Sequence, residues 1–305
     1  MASGMTIFRF NTFNHCDDGK RCIEDLTRIM SAQLRSLGHM TEVSDEFAYT
    51  KDHVNLLYES FADPGTLLTI HDAYHDGARF AYIATEEPHP DGFNGRLDNA
   101  MDERQRAFPE AARYAEAILH LAPGEQVTRW YAQFAPAAYA ELGYAPQSPG
   151  REQWYASCDP TYDFGFYGQM TPRRRRIFDE LERADGSSTL VLPFIIHAAE
   201  QRDKLMKQVR VIPQVRAHDS QEIISSSRCA TALNLGRPVI AEPHALPGVW
   251  REVVSFSTSH DTFYQDAAYA AKHWRELHAI QHELFADRMT PERCLGAPLR
   301  AVGLT

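Results

Sequence analysis

The feature that most constrains the fold is a regular alternation of β-like and helix-like segments along the chain. The first half contains four β-like runs, each followed by a helix-like segment: 5–10 then 19–37, 53–60 then 64–76, 79–87 then 97–114, and 117–123 then 124–134. Alternation at this spacing indicates βαβ units, which build parallel sheets. The sequence therefore predicts an α/β fold.

The alternation stops at residues 144–160, which hold four prolines or glycines and show no periodicity, and we predict a linker there. It then restarts, with β-like runs at 162–169, 188–196, 209–215, 237–243 and 253–259 and helix-like segments at 172–184, 197–209, 220–235 and 261–287. We therefore predict two Rossmann-like domains, residues 1–150 and 151–305, that face a central cleft where a ligand binds.

Composition narrows the class of protein. The chain has 305 residues and a net charge of −10, with no run of basic residues suited to many phosphates, which predicts no nucleic-acid partner. No apolar run approaches the roughly 18 residues of a membrane span, and the first residues lack the features of a secretion signal. Five scattered cysteines, none in a CxxC pair, favour reduced thiols. These features predict a cytoplasmic protein without a membrane segment.

Several common catalytic motifs are absent from the sequence. There is no GxGxxG, GxxxxGK[ST], GxSxG or HExxH, and no two aspartates lie two residues apart, so a DxD metal clamp is missing. His71 and His75 are spaced to share a helix face, with Asp72 and Asp76 beside them, but no further ligands are identified. We predict a polar helix end there and no metal site.

Four consecutive arginines, 173–176, stand out in this acidic chain. Thr171 is a good N-cap and Pro172 suits the first helical position, so the arginines begin a helix. Arg175 and Arg176 lie four residues before Asp179 and Glu180, which predicts ion pairs on the helix surface. Arg173 and Arg174 have no such partners, and we predict that they are unpaired. Their place in the first turn, after Gly168, suits either a bound diphosphate or plain solvent exposure.

A second polar group follows the strand predicted at 237–243. This strand runs into Glu242 and His244, and side chains at the carboxyl end of a parallel strand face the ligand crevice of such a sheet. A carboxylate there can accept two hydroxyls of a ribose or hexose, although a carboxylate satisfied within its loop is the alternative. Ser220, Arg228 and Asn234, in the segment before this strand, complete the predicted donor-binding residues.

Residues 160–295 resemble the C-terminal, nucleotide-sugar-binding domain of GT-B glycosyltransferases, and most resemble the group-1-like enzymes related to spore-maturation proteins. The resemblance lies in the order of "YDFGFYGQMTPRRRRIFDEL", "VRVIPQV", "SQEIISSSRCATALNLGRPVIAEP" and the long last helix. It implies a GT-B fold with the donor site in the second domain and the acceptor site in the first. It places Gly168 and Arg173 near the diphosphate, and Arg228 and Glu242 near the nucleoside or sugar.

One departure from this family bears on the mechanism. Retaining members usually carry two glutamates eight residues apart, and the corresponding positions here are Ile223 and Thr231. An inverting transfer is therefore favoured, and it needs a base that deprotonates the acceptor hydroxyl. The predicted candidates follow two strands of the first domain: Glu86, Glu87 and His89 in "EEPHP", and His15 and Asp18 in "HCDD". Glu87 is preferred because Pro88 and Pro90 stiffen its loop.

These observations predict a metal-independent glycosyltransferase without a cofactor, which moves a sugar from a nucleotide-activated donor to an unidentified saccharide, small molecule or protein. Two alternatives stay open at this point. One is a catalytically silent GT-B-like binding or assembly protein, and the other is a different two-domain enzyme such as a sugar-nucleotide epimerase or an enzyme acting on phosphate esters.

Overall fold

A computed structural model describes residues 5–96, 99–145, 159–193, 199–217, 219, 225–243 and 248–305. The chain divides into two compact units. The N-terminal unit comprises Met1–Ile23, Met30–Leu142 and Pro291–Thr305, and the C-terminal unit comprises Glu24–Ile29 and Gly143–Thr290. The domain boundary predicted at residue 150 and most of the predicted linker lie outside the described residues, so that boundary stays a prediction.

The N-terminal unit contains a six-stranded parallel sheet with the strand order β2-β1-β3-β4-β5-β6. Its strands are β1 (Ile7–Asn11), β2 (Met40–Ser44), β3 (His53–Tyr58), β4 (Phe80–Ala84), β5 (Ala115–His120) and β6 (Ala137–Tyr139). All five residues of β4 are buried, as expected for a central parallel strand covered on both faces. The chain order reverses between β1 and β3, which makes these neighbours the switch point of the sheet.

The helices α1 to α5 connect these strands. They are α1 (Asp17–Ser36), α2 (Pro64–His75), α3 (Phe93–Arg96), α4 (Asn99–Ala112) and α5 (Glu125–Tyr131). The start of α2 shows why the sequence folds this way: the Asp63 side chain accepts from the Thr66 amide, and Pro64 occupies the first turn. Phe61, Tyr82 and Phe108 pack together in the core that these helices bury against the sheet.

The C-terminal unit contains a five-stranded parallel sheet with the order β11-β10-β9-β7-β8. Its strands are β7 (Tyr162–Gly168), β8 (Thr189–Pro193), β9 (Val209–Gln214), β10 (Val239–Ala241) and β11 (Ser255–Phe256). Gly165 allows close packing on β7, because a Cβ atom there would lie 2.6 Å from Cγ1 of Val209. The chain order reverses between β7 and β9.

Six helices accompany this second sheet among the described residues. They are α6 (Pro172–Asp185), α7 (Ala199–Met206), α8 (Ser226–Asn234), α9 (Trp250–Val253), α10 (Phe263–Lys272) and α11 (Trp274–Arg288). The chain ends, in the N-terminal unit, with a π-helical turn (Glu292–Gly296) and α12 (Ala297–Ala301). No described helix is long and apolar enough to span a bilayer.

The predicted α/β class and the two parallel sheets are confirmed. The strands β2 and β6 were not predicted, and the single helix predicted at 261–287 is wrong: two helices meet at His273. The ring of His273 stacks on Tyr269, and its backbone leaves the helical region with φ −108° and ψ 26°. No glycine or proline marks this break in the sequence. Part of the helix predicted at 220–235 lies outside the described residues, and α8 begins at Ser226.

Candidate functional site

The switch point of the C-terminal sheet gathers positively charged side chains. In an open parallel sheet the loops leaving the two strands at such a point diverge, and the crevice between them is the usual ligand site. Here β7 leads into Arg173 and Arg174 on α6, and β9 leads into Arg216. The neighbouring strand β10 leads into Glu242. The polar residues at these strand ends thus lie on one edge of one sheet, as the sequence predicted for Arg173, Arg174 and Glu242.

The start of α6 is fixed by local hydrogen bonds. The Thr171 hydroxyl oxygen accepts from the Arg174 amide at 3.3 Å, and the same hydroxyl donates to the Ala217 carbonyl at 2.7 Å. Pro172 fills the first helical position. The predicted capping is confirmed, and it places Arg173 and Arg174 in the first turn of the helix.

Arg173 is paired, so the prediction that it lacks a partner is wrong. Its Nη1 and Nη2 donate to the two carboxylate oxygens of Glu242 at 3.0 and 2.6 Å, and its Nε donates to Asp219 at 2.6 Å. Nη1 also donates to the Arg216 carbonyl at 3.2 Å. The Glu242 partner is 69 residues away in sequence, whereas the prediction considered only carboxylates one helical turn away.

Glu242 is 1% exposed and serves two arginines. Besides Arg173 it accepts from the backbone amide of Arg216, and from Nε of Arg216 at 3.3 Å. Burial by itself would raise the pKa of Glu242, but hydrogen bonds from Arg173 and the Arg216 amide, with the charges of both arginines, hold it below its ordinary value. The expectation that both oxygens accept sugar hydroxyls does not match this arrangement, because they already accept from the arginines.

Arg174 is also held, contrary to prediction. It is 4% exposed; its Nε donates to the Val215 carbonyl at 3.1 Å and its Nη1 to the Gln169 carbonyl at 2.7 Å. Burial, together with the charge of Arg228, lowers the pKa of Arg174 to about 9. Arg174 therefore fastens the segments that leave β7 and β9.

The expected ion pairs of the next two arginines are not found. Within the described residues, Arg175 and Arg176 form no ion pair with Asp179 or Glu180, and the Glu180 carboxylate accepts instead from the Tyr264 hydroxyl. Arg175 and Arg176 are exposed and do not belong to the group of arginines at the strand ends.

The guanidinium of Arg228 lies over the Phe166 ring, 5.5 Å from its centroid, and makes few hydrogen bonds. Its Nε donates to the Gln214 side chain at 3.2 Å, while Nη1 and Nη2 have no acceptor among the described residues. Burial lowers the pKa of Arg228. Gly168 makes room for it: this residue has φ +133°, and a Cβ atom there would lie 3.1 Å from Nη1 of Arg228. The glycine and the arginine, both predicted from sequence, are therefore neighbours.

The charges at this switch point do not cancel. We call Arg173, Arg174, Arg216 and Arg228 the arginine cluster. Arg173 and Arg216 bind the cluster's two carboxylates, Glu242 and Asp219, so two of its four positive charges are left over among the described residues, in a chain of net charge −10. His260 lies at its edge and accepts at Nε2 from Nη2 of Arg216 at 3.2 Å, because a guanidinium can only donate.

The other predicted donor-binding residues have different places. Asn234 is at the far end of α8, 7% exposed, and its amide binds the backbone of Gly143 and Ala145, so it does not join the arginine cluster. Ser220 and His244 lie outside the described residues. Arg216 and His260 were not predicted; their signal in the sequence is their position directly after a strand, as for Glu242.

A second polar cluster lies at the switch point of the N-terminal sheet, where β3 ends. Glu59 follows β3 and is 2% exposed. Its Oε1 accepts from the Thr85 amide at 2.5 Å, the Thr85 hydroxyl at 2.9 Å and the Glu86 amide at 2.6 Å. Glu59 thus binds the loop that leaves β4, which is the loop of the predicted catalytic residues.

Charges around Glu59 are closely arranged. Arg104 on α4 donates from Nη2 to the Glu59 carbonyl at 2.6 Å, and its Nη1 lies 3.1 Å from Oε1 of Glu86. Burial, and then the nearby charge of Glu86, raises the pKa of Glu59 to about 8, although Arg104 and Thr85 act in the opposite direction. Glu59 and Arg104 were not predicted as site residues. Their proximity and the burial of Glu59 depend on the strand order, which the sequence pattern does not contain.

The predicted bases in this loop differ in how many hydrogen bonds and ion pairs their side chains form. Glu86 is held by Arg104 and by the Asn94 amide group. The Glu87 side chain is a quarter exposed, and its Oε1 lies 3.7 Å from Nε2 of His89. The Glu87 backbone is fixed by Asn94, whose Oδ1 accepts from the Glu87 amide at 2.9 Å. Unlike Glu86, Glu87 and His89 therefore retain side-chain polar atoms that form no hydrogen bond among the described residues.

His15, after β1, lies in the same cluster. Burial lowers its pKa to about 4, with further contributions from the charges of Arg104 and Lys20. Its Nε2 is buried and has no hydrogen-bond partner among the described residues. Asp18 instead lies in the exposed first turn of α1, 3.5 Å from Arg21. The structure therefore brings His15, but not Asp18, to the strand ends.

Comparison with solved structures identifies the fold. An alpha-glucosyltransferase in complex with UDP and a DNA 13-mer containing an HMU base superposes with TM-score 0.61 at 7% identity, covering 98% of this chain and 100% of that one. The DNA-modifying enzyme beta-glucosyltransferase gives 0.57 at 9% identity, with the same coverage. AviGT4, a glycosyltransferase of avilamycin A biosynthesis, gives 0.50 at 12% identity, covering 99% of both chains.

These likenesses extend over nearly the whole chain, and they show that it has the GT-B fold of these glycosyltransferases. The predicted fold is thereby confirmed. In sequence, no protein-family model and no curated protein matches the chain.

Proposed function

We propose that this protein is a glycosyltransferase that moves a sugar from a nucleoside-diphosphate sugar to an acceptor hydroxyl. The observation that carries the proposal is the arginine cluster at the switch point of the C-terminal sheet. The two positive charges left uncancelled among the described residues match the charge of a diphosphate, and guanidinium groups suit phosphate oxygens in both charge and geometry. The fold of known nucleotide-sugar enzymes supports the same conclusion but does not carry it.

Within the cluster we assign different roles to the arginines. Arg228 has two terminal nitrogens without acceptors among the described residues, and the absence of a side chain at Gly168 leaves room for its Nη1, so we assign it direct contact with the diphosphate. Arg173 has most of its N–H groups engaged and is oriented by Glu242. Its charge adds to the field at the site, and one remaining N–H is available for a phosphate oxygen.

The transfer we propose is an inverting displacement without a metal. The acceptor oxygen forms a bond to the anomeric carbon while the bond from that carbon to the diphosphate oxygen breaks, and the leaving nucleoside diphosphate keeps the electron pair. The arginine cluster stabilises the charge that develops on the leaving group. Glu87, beside His89, takes the proton of the acceptor hydroxyl.

The acceptor is identified by a transfer assay with a panel of hydroxylated molecules. The acidic net charge predicts no nucleic-acid partner, yet one of the similar structures is a DNA-modifying enzyme and another is in complex with a DNA 13-mer containing an HMU base. A suitable panel therefore contains saccharides, small hydroxylated molecules and duplex DNA with an HMU base. Release of nucleotide from each donor is measured with and without each acceptor, with and without a chelator.

Binding of the donor is tested first by thermal unfolding with nucleoside diphosphates and nucleotide sugars. We expect at least one of them to raise the melting temperature, and we expect Arg228→Ala to remove this effect. Arg176→Ala is the matched control, because it removes an exposed arginine from the same basic run as Arg173. The proposal is wrong if no nucleotide stabilises the protein. Stabilisation without any transfer would instead support the catalytically silent alternative.

A further inference from the structure

A single hydroxyl in the N-terminal unit lies between two acceptors. The Tyr131 oxygen is 3.0 Å from Oε2 of Glu59 and 2.9 Å from the carbonyl oxygen of Glu86. A tyrosine hydroxyl has one proton, and a backbone carbonyl can only accept. If Tyr131 donates to the Glu86 carbonyl, its contact with Oε2 of Glu59 needs a proton from Glu59.

The two oxygens of the Glu59 carboxyl have different hydrogen-bond partners, and this difference also indicates a protonated Oε2. Oε1 accepts from three donors, two on Thr85 and one on the Glu86 amide, whereas the hydroxyl of Tyr131 is the partner of Oε2. This is the arrangement of a carboxylic acid, in which the carbonyl oxygen accepts hydrogen bonds and the protonated oxygen donates one.

We propose that Glu59 is a neutral carboxylic acid that donates through Tyr131 to the Glu86 carbonyl, and that this hydrogen-bond chain is the positioning element for the loop that carries Glu87 and His89. The chain runs from Oε2 of Glu59 to the Tyr131 oxygen, and from the Tyr131 hydroxyl to the Glu86 carbonyl. Its positioning role rests on the proposed function, whereas the protonation of Glu59 does not.

The surroundings favour the neutral form. Glu59 is fully enclosed, and the carboxylate of Glu86 faces it from the loop after β4. Arg104, on α4, is the cation that faces it, but this arginine is shared with the Glu86 carboxylate. Tyr131 faces it from α5, with the neutral hydroxyl of Thr85 beside it. Burial raises the pKa of Glu59 to about 8, in agreement with the hydrogen-bond geometry.

Ionisation of Glu59 would break the chain. Two facing carboxylates would then share one arginine, and Tyr131 would be drawn from the Glu86 carbonyl to Glu59. The loop after β4 would lose a constraint above about pH 8. We therefore expect acceptor-dependent transfer to fall as the pH rises through that value.

The test uses Glu59→Gln in the full chain. A glutamine side chain can accept at its oxygen and donate from its nitrogen to Tyr131, so it reproduces the neutral acid and cannot ionise. Infrared difference spectra between the wild type and Glu59→Gln should show the carbonyl stretch of a protonated acid near neutral pH, and this band should vanish above about pH 9. Glu125→Gln, an exposed glutamate in the first turn of α5, is the control and should leave the band in place.

The second readout is transfer as a function of pH. Glu59→Gln should retain the rate of the wild type at neutral pH within about twofold and should lose the decline at alkaline pH, whereas Tyr131→Phe should slow transfer at every pH. Absence of a protonated-acid band at neutral pH overturns the proposal, as does an unchanged alkaline decline in Glu59→Gln. If no transfer is detected in any protein, the proposed function fails while the infrared result still decides the protonation of Glu59.

Discussion

Arg173 and Glu242 form a two-pronged ion pair at the carboxyl edge of the C-terminal sheet, although 69 residues separate them in sequence. The arginine comes from the helix after β7, and the glutamate comes from the end of β10. The parallel strand order brings both chain segments to the same edge. The pair therefore depends on the topology of the sheet, and it couples the folding of this edge to the orientation of an arginine that we place at the donor site.

Glu242→Gln should destabilise the protein strongly at neutral pH. Glu242 is almost completely buried, and its loss leaves Arg173 and Arg216 without their shared carboxylate. Breaking a buried pair of this kind costs about 3 kcal/mol or more. The measurement is urea unfolding at pH 7. Asp219→Asn removes the exposed carboxylate that binds the same arginine and should change the stability little, because solvent screens that pair.

The same variant also has a pH signature. The pKa of Glu242 is held below its ordinary value of 4.5, so its stabilising contribution is complete above about pH 4.5 and is lost as the pH falls further. The stability difference between wild type and Glu242→Gln should therefore shrink when unfolding is repeated at progressively lower pH below 4.5. A difference that stays constant over that range would contradict the assigned ion pair.

The sequence predicts the local structure at the carboxyl edge of the C-terminal sheet, but it does not predict the contacts between segments that are distant in sequence. Capping by Thr171 and Pro172 is a local property, and it located the start of α6 correctly. The partner of Arg173 was missed because an ion pair across strands depends on strand order, which local spacing does not contain. Glu59 was missed for a similar reason: in sequence it is one polar residue after an apolar strand, and its burial arises from the packing of separate helices around it.

Gly168→Ala should remove nucleotide binding at a moderate cost in stability. The backbone at this position has φ +133°, which a residue with a Cβ atom rarely adopts, and the added atom would lie 3.1 Å from Nη1 of Arg228. We expect a loss of about 1–3 kcal/mol from backbone strain and a displaced arginine. Gly186→Ala is the control, because Gly186 has φ +64° and nothing within 4 Å of its Cβ position. It should be destabilised but should still bind nucleotide in calorimetric titrations.

His15 should stay neutral in mildly acidic solution. Burial, Arg104 and Lys20 lower its pKa to about 4 from an ordinary value of 6.5, so the unfolded chain takes up a proton between these pH values while the folded protein does not. This group therefore makes stability fall as the pH decreases from about 6.5 to about 4. In ¹⁵N spectra the His15 ring signals, assigned with His15→Asn, should keep their neutral shifts at pH 5. Protonated shifts at that pH would show that the ring is not enclosed as described.

Asn94 should govern the loop of the predicted base through both its backbone and its side chain. Its backbone has φ +58°. Its side-chain oxygen accepts from the backbone amide of Glu87 at 2.9 Å, and its backbone amide donates to the Glu87 carbonyl at 2.7 Å. Asn94→Gly removes the side-chain bond but tolerates the backbone conformation, whereas Asn94→Ala removes the bond and adds strain. If Glu87 acts on the acceptor, the rate of transfer should fall in the order wild type, Asn94→Gly, Asn94→Ala, while nucleotide binding at the C-terminal unit is unchanged. Equal rates in all three proteins would separate this loop from the chemistry.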